Sequence, residues 1–288
     1  MRQSDKKKVI IVRLMGGLGN QLFQFSFGSK LSLNSTKRLL LDVSAYSSDC
    51  KRLPQLCDYE FAGKQICLTN NQRLNIQYYL ARKLNLKCKN IIIEQEPYSC
   101  LQISDSFLYY VGYWQNVNYL YDMGSFRKKL VYKGRYSDKQ KELNYFIETV
   151  NSVAIHIRRT DYLSPENKYY NVLSSQYYEC CMSIINERLE DAYFFVFSDD
   201  MEFAKKMFQK YENIIFVDDS YENADVQDFE MMRKCKHFII ANSTFSWWAS
   251  QLADYSAKIM LAPKTWFLCE TNDACLDALM RGYYLVDV

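Results

Sequence analysis

Residues 153–162 read V-A-I-H-I-R-R-T-D-Y, an apolar run that ends abruptly in charge. Val153, Ile155 and Ile157 alternate as strand residues do, and Arg158, Arg159 and Asp161 follow at once. In an α/β protein the carboxyl ends of parallel strands form the rim on which ligands collect. Two adjacent guanidiniums there make a fork of permanently charged donors suited to a phosphate or diphosphate. Asp161 would orient one of them or act as a base. The same cluster also reads as a surface salt-bridge group worth about 0 to 1 kcal/mol, so its neighbours must decide.

Apolar runs at 153–157, 193–197, 214–217, 238–241 and 259–261 alternate with helical stretches, which predicts a parallel sheet with helices on both faces. Polar residues close each run: the two arginines, then Ser198-Asp199-Asp200, Asp218-Asp219 and Asn242-Ser243-Thr244-Phe245-Ser246-Trp247-Trp248. Ser243 and Thr244 fall where a strand passes into a helix expected over 245–255, so hydroxyls and helix-start N–H groups would meet as a phosphate site requires. Asp199 or Asp200 would take two donors from a purine edge or a ribose diol, or cap the helix expected from Met201.

The first half opens with a strand, 9–14, then Met15-Gly16-Gly17-Leu18-Gly19-Asn20-Gln21 and a helix, 22–33. Such glycines let backbone approach a ligand beside free helix N–H groups. The dinucleotide fingerprint would need glycine where Leu22 stands, and no Gly-Lys-Ser/Thr follows. Strands are expected at 38–42, 91–94 and 107–113, a mainly helical stretch at 68–86, and lysine-rich helix from 116 to 150. Gly112-Tyr113-Trp114-Gln115-Asn116 reads as an aromatic-amide cluster fit for a sugar face, or as core packing followed by a cap.

At 288 residues the chain suits two domains, and 49% hydrophobic with 24% charged residues is a globular composition. Charge divides it. Residues 1–150 hold 23 lysines and arginines against 12 carboxylates, net +11, while residues 151–288 hold 13 against 21, net −8. The division is therefore expected near 150. The basic half leaves open contact with an anionic membrane surface or lipid-linked substrate; nucleic acid is disfavoured because the positive charge avoids the expected ligand rim. No apolar run of about 18 residues or signal-peptide core occurs, so a cytoplasmic protein is expected. The 10 cysteines make no C-x-x-C pair and read as reduced, mostly buried thiols; with only His156 and His237 beside them, no zinc site is expected. No Asp-x-Asp string occurs for a metal–diphosphate site.

The blocks Gly16 to Gln21, His156 to Asp161, Phe197 to Asp200 and Ala241 to Trp248, in this order, resemble the α-1,2-fucosyltransferases, glycosyltransferase family 11, in its bacterial branch. Gly112 to Gln115 is also similar to a stretch found there. The resemblance implies a GT-B-like fold, two Rossmann-type α/β domains facing a cleft. Residues 1–150 would lie on the acceptor side and 151–288 would bind GDP-fucose. It implies an inverting transfer of fucose from GDP-fucose to the 2-hydroxyl of a terminal galactoside, with no metal and no other cofactor. By similarity, Arg158 would hold the β-phosphate, His156 and Asp199 the guanine or ribose, and Ser243, Thr244 and Phe245 the diphosphate. Gly17, Gly19 and Asn20 would close over the donor, and Tyr113, Trp114 and Gln115 would meet the acceptor. Asp161 is the first candidate for the base and Glu166 the second. Another GDP-fucose linkage, a non-catalytic nucleotide-binding protein and a basic nucleic-acid module remain as alternatives.

Overall fold

A computed structural model describes residues 9–35, 37–47, 54–86, 88, 90–94, 109–217, 224–268 and 274–287. Chain contacts divide it into two units, 1–134 with 273–279, and 135–272 with 280–288. The boundary thus falls after Gly134, earlier than the 150 expected from charge. The reason is that residues 135–150 carry Arg135, Lys139 and Lys141 against Asp138, Glu142 and Glu148, so they leave the charge balance of either half unchanged.

In the first unit five parallel strands take the order β5-β2-β1-β7-β6: β1 Val9–Arg13, β2 Arg38–Asp42, β5 Leu68–Thr69, β6 Ile91–Ile93 and β7 Tyr109–Val111. Helix α1, Leu18–Asn34, follows β1, and α2, Gln72–Lys83, is capped by Asn71. Helix α1 begins four residues before the expected start, so Gly19 and Asn20 belong to its first turn. A second sheet, β4-β3-β8, joins β3 Tyr59–Phe61, β4 Lys64–Gln65 and β8 Leu130–Tyr132 in antiparallel fashion.

The continuous helix expected over 116–150 is therefore wrong. Helix α3, Met123–Lys129, gives way to β8, and only α4, Asp138–Thr149, continues the pattern behind a Ser137–Gln140 capping box. Leu130-Val131-Tyr132 forms a strand because Tyr59–Phe61 lies alongside to pair with it, a partner remote in sequence.

The second unit holds six parallel strands: β9 Asn151–Ile157, β10 Ala192–Ser198, β11 Ile214–Phe216, β12 His237–Ile239, β13 Met260–Pro263 and β14 Tyr284–Val286. Their order, β11-β10-β9-β12-β13-β14, is the doubly wound 3-2-1-4-5-6 arrangement. Its helices are α5 Ser175–Asn186, α6 Met201–Phe208, α7 Ala224–Met232 and α8 Thr244–Leu252. Both sheet faces are covered, as the continuous apolar strands require. Phe194 and Val196 pack with Tyr177 and Phe208, while Tyr193 and Phe195 meet Phe146 of α4. The chain then returns to the first unit as α9, Ala274–Leu279, where Asn116 Nδ2 donates to Cys275 Sγ at 3.3 Å.

No described helix is long and apolar enough to cross a membrane. Cys57, Cys67, Cys88, Cys180, Cys181, Cys235 and Cys275 carry thiols rather than disulfides. Only Cys181 and Cys235 of these are fully buried, fewer than expected. Phe194 has no exposed surface, so Phe194→Ala is expected to cost about 3 to 5 kcal/mol, read as a lower denaturant midpoint.

Candidate functional site

The winding order of the second sheet reverses at β9, which has β10 on one side and β12 on the other. A crevice opens at such a switch point, outside the carboxyl ends of the strands. The residues that follow these three strands are Arg158 to Asp161, Asp199 and Asp200, and Asn242 to Thr244. Asp218 and Asp219, expected on the same rim, lie outside the described residues.

Ile157 is in register with Ser198, so the next residues of β9 and β10 are neighbours. Asp199 uses this proximity: its carboxylate accepts from Arg159 N at 2.8 Å, Thr160 N at 3.2 Å and Thr160 Oγ1 at 2.7 Å. It also pairs with Arg158 Nη1 at 3.2 Å. Asp161 takes Arg158 Nη2 at 2.6 Å, from three residues along the same loop. The guanidinium of Arg158 is thus held between two carboxylates and remains about a third exposed (31%). Arg159 is fastened differently, to Asp200 at 3.2 Å and over the Phe203 ring at 4.0 Å. Asp200 also caps α6 by accepting from Phe203 N.

Across β9, Ser243 is the N-cap of α8 and accepts from Phe245 N at 3.3 Å. The helix start therefore presents its first N–H groups beside a capping hydroxyl, with Thr244 as the first helical residue. His156 is buried, and its Nδ1 shares a 2.8 Å hydrogen bond with Ser246 of α8. Burial, reinforced by nearby Arg158, pushes its pKa down to about 3, so the imidazole is neutral near pH 7. Phe245 lies 5.4 Å from that ring, centroid to centroid, and 5.4 Å from Phe229. Glu166 is exposed in the turn Pro165–Asn167. Among the described residues no group of three or more histidines, cysteines or carboxylates is gathered to hold a metal.

The first unit has a rim of its own. Gly16 adopts φ +75°, and a Cβ there would meet Asn20 Nδ2 at 2.5 Å, so the turn before α1 requires glycine. Gln21 Nε2 and Tyr46 OH both donate to Gly16 O, and Gln24 Nε2 donates to Gly112 O at 3.1 Å. Gln115 Nε2 donates to Asn20 Oδ1 at 3.0 Å, which joins the Gly16–Asn20 segment to the one after β7. Gly17, Gly19, Asn20, Tyr113 and Gln115 are thus brought to one edge.

Trp114 departs from its expected place at a sugar face. It is fully buried with φ +57° and stacks on Phe27 at 4.1 Å and 9°. Tyr113 is the exposed aromatic of the pair. The turn is gripped by a residue that sequence reasoning missed, Glu94, whose Oε2 accepts from Tyr113 N at 2.6 Å and Trp114 N at 3.0 Å. A carboxylate directly after three isoleucines at a strand end was the available signal. Burial drives its pKa from 4.5 to about 7, opposed by the Trp114 and Tyr113 N–H groups.

The family profile described as "Glycosyl transferase family 11" matches residues 2–278. An α-1,2-colitosyltransferase from Escherichia coli is 32% identical over 95% of this chain and 98% of its own. The O-antigen biosynthesis glycosyltransferase WbnK, also from Escherichia coli, is 28% identical over 88% and 93%. Galactoside α-(1,2)-fucosyltransferase 1 of Sus scrofa is 34% identical over 35% of this chain and 28% of its own. In fold, the fucosyltransferase NodZ from Bradyrhizobium aligns with TM-score 0.52 at 12% identity, over 84% of this chain and 92% of that one. POFUT1 in complex with GDP-fucose aligns with TM-score 0.51 at 12% identity, over 88% and 98%. These likenesses assign a GT-B-like class of Rossmann-type α/β units.

Two outcomes follow from the geometry. Glu94 keeps its proton in the folded chain at pH values where the unfolded chain has lost it, so stability falls as pH rises from 4.5 to about 7 and levels off above. Glu94→Gln should flatten that slope in melting temperatures measured from pH 5 to 8. Asp199→Ala removes the acceptor of the 158–160 loop, and should speed amide hydrogen exchange at Arg159 and Thr160 more than Asp200→Ala does.

Proposed function

The chain belongs to glycosyltransferase family 11, and from that premise we propose that it moves L-fucose from GDP-β-L-fucose to the 2-hydroxyl of a terminal β-galactoside. The observation that carries the reading is Arg158, held between Asp161 and Asp199 beside the α8 start at the switch point of the sheet. A guanidinium and helix N–H groups fixed before the substrate arrives suit a diphosphate leaving group, because they need no reorganisation as charge develops on it.

In this reading the galactose oxygen attacks fucose C1 from the face opposite GDP, through an oxocarbenium-like transition state, and the anomeric configuration inverts. Arg158 and the α8 start take up the negative charge of the departing phosphate. A metal is not assigned that task. Gly17, Gly19 and Asn20 would contact the donor from the first unit, and Tyr113 and Gln115 the acceptor. His156, neutral and bonded to Ser246, would shape the nucleotide pocket rather than exchange protons. Asp161 is best used as the residue that positions Arg158, since one of its oxygens is already committed to that guanidinium at 2.6 Å. That leaves Glu166, exposed in the same loop, to receive the proton of the attacking hydroxyl.

A second reading rests on the 32% identity shared with the colitosyltransferase along nearly all of both chains. The donor would then be GDP-colitose, whose sugar is fucose without its 3-hydroxyl, and the same phosphate site would serve. The ratio of kcat/KM for the two donors decides between them.

The test is GDP release from GDP-fucose in EDTA, with and without a β-galactoside. Acceptor-dependent turnover is expected, with fucose on galactose O2 in the product, and Arg158→Ala should lower kcat about 100- to 1000-fold. Glu166→Gln should lower kcat by about 100-fold or more while leaving the KM for donor unchanged; unaltered kcat would remove Glu166 as the base. Donor binding without turnover on any galactoside would overturn the linkage, and absence of donor binding would overturn the donor.

A further inference from the structure

Helix α2 faces the wrong way for an ordinary amphipathic surface helix. Its inward side offers Asn75, Tyr78 and Ala81 as the buried residues. The large apolar side chains lie outward: Ile76 is 57% exposed, Tyr79 49%, Leu80 52% and Leu84, just past the helix end, 59%. Spacings of three and four residues put these on one face at 3.6 residues per turn. Arg73 and Lys83 fall within the same sector, whereas Arg82, although exposed, lies on the Asn75–Tyr78 side, where its Nη1 donates to Tyr78 OH at 3.4 Å. Tyr78 and Tyr79 back onto Arg13, whose Cζ lies 4.5 and 5.0 Å from their ring centroids, so the helix has a fixed seat.

The charge around this face has a single sign. Between Glu60 and Glu94 the sequence contains Lys64, Arg73, Arg82, Lys83, Lys87 and Lys89 and no carboxylate. A second copy of the chain is a poor occupant, because a two-fold contact would set Arg73 and Lys83 against themselves with no acid in the segment to neutralise them. An anionic bilayer satisfies both features together. Its acyl boundary takes the apolar side chains, and its phosphates take cations whose stems lie along the same face.

We propose that the outward face of α2, with Ile76, Leu80 and Leu84 at its centre, Tyr79 at its edge, and Arg73 and Lys83 among them, docks the protein on an anionic lipid surface. The proposal is independent of the donor and acceptor assigned above, since the vesicles that test it contain neither.

Flotation of the full chain with phosphatidylcholine vesicles, with and without about 30 mol% phosphatidylglycerol, reads the partition directly. Binding is expected to the anionic vesicles only, and to weaken as salt rises through about 0.15 M. Ile76→Ser with Leu80→Ser should lower the partition at least about tenfold. Arg73→Glu with Lys83→Glu should abolish the preference for anionic lipid. All four positions are solvent-exposed, so both double variants should melt at the wild-type temperature, and the second pair tests the face even if the first unfolds. Absence of vesicle binding, equal binding to neutral vesicles, or binding that survives both pairs would overturn the proposal. A dimer that the serine pair dissociates, without any lipid binding, would give the face to a second copy and overturn it as well.

Discussion

The candidate site of the second unit depends on one carboxylate, Asp199, which reaches from the end of β10 to the loop that follows β9. It accepts two backbone N–H groups and a hydroxyl and pairs with Arg158. Partly exposed ion pairs contribute about 0 to 1 kcal/mol each, too little to explain the arrangement as a stabilising device. Its value lies in geometry: the loop is pinned at three donors, so the guanidinium arrives at the rim already oriented. Two carboxylates around one arginine also leave a local excess of negative charge, so the helix start at Ser243 and Thr244 matters as the complementary electropositive element.

The sheet makes this possible. Parallel pairing of β9 with both β10 and β12 fixes the three strand ends as neighbours, and burial of both faces fixes the register. In the first unit the corresponding task falls to short side-chain ties. Gln21, Tyr46 and Gln115 hold the Gly16–Asn20 segment, and Glu94 holds Tyr113 and Trp114.

What could be read from the sequence was what is local. The run into Arg158-Arg159, the strand–helix passage at Ser243 and the glycine turn at Gly16 each carry their structure within a few residues. The core strands of the second half were legible because strands buried on both faces are nearly continuous apolar runs. The failures share a different cause. Strand β8 exists because β3 lies beside it, and the helical pattern around it gave no sign of that partner. Trp114 follows Gly112 and Tyr113 in a pattern that suits a sugar face and a core equally, and only the Phe27 ring beneath it decides. Glu94 reads as the charged end of a strand until Tyr113 and Trp114 fold back onto it.

Helix α9 has a consequence for how the chain comes together. The first unit is built from residues up to Gly134 and from a helix made about 140 residues later. At synthesis rates of about 5 to 20 residues per second, its last element would leave the ribosome roughly 7 to 28 s after Gly134 is made. During that interval the second unit can pair β9 to β13, leaving only β14 to be added after α9, while the first waits with the seat of α9 open, including the Asn116 amide that will later meet Cys275. The first unit is thus early in sequence and late in completion, and a gene fragment ending at its apparent boundary would encode an unfinished domain.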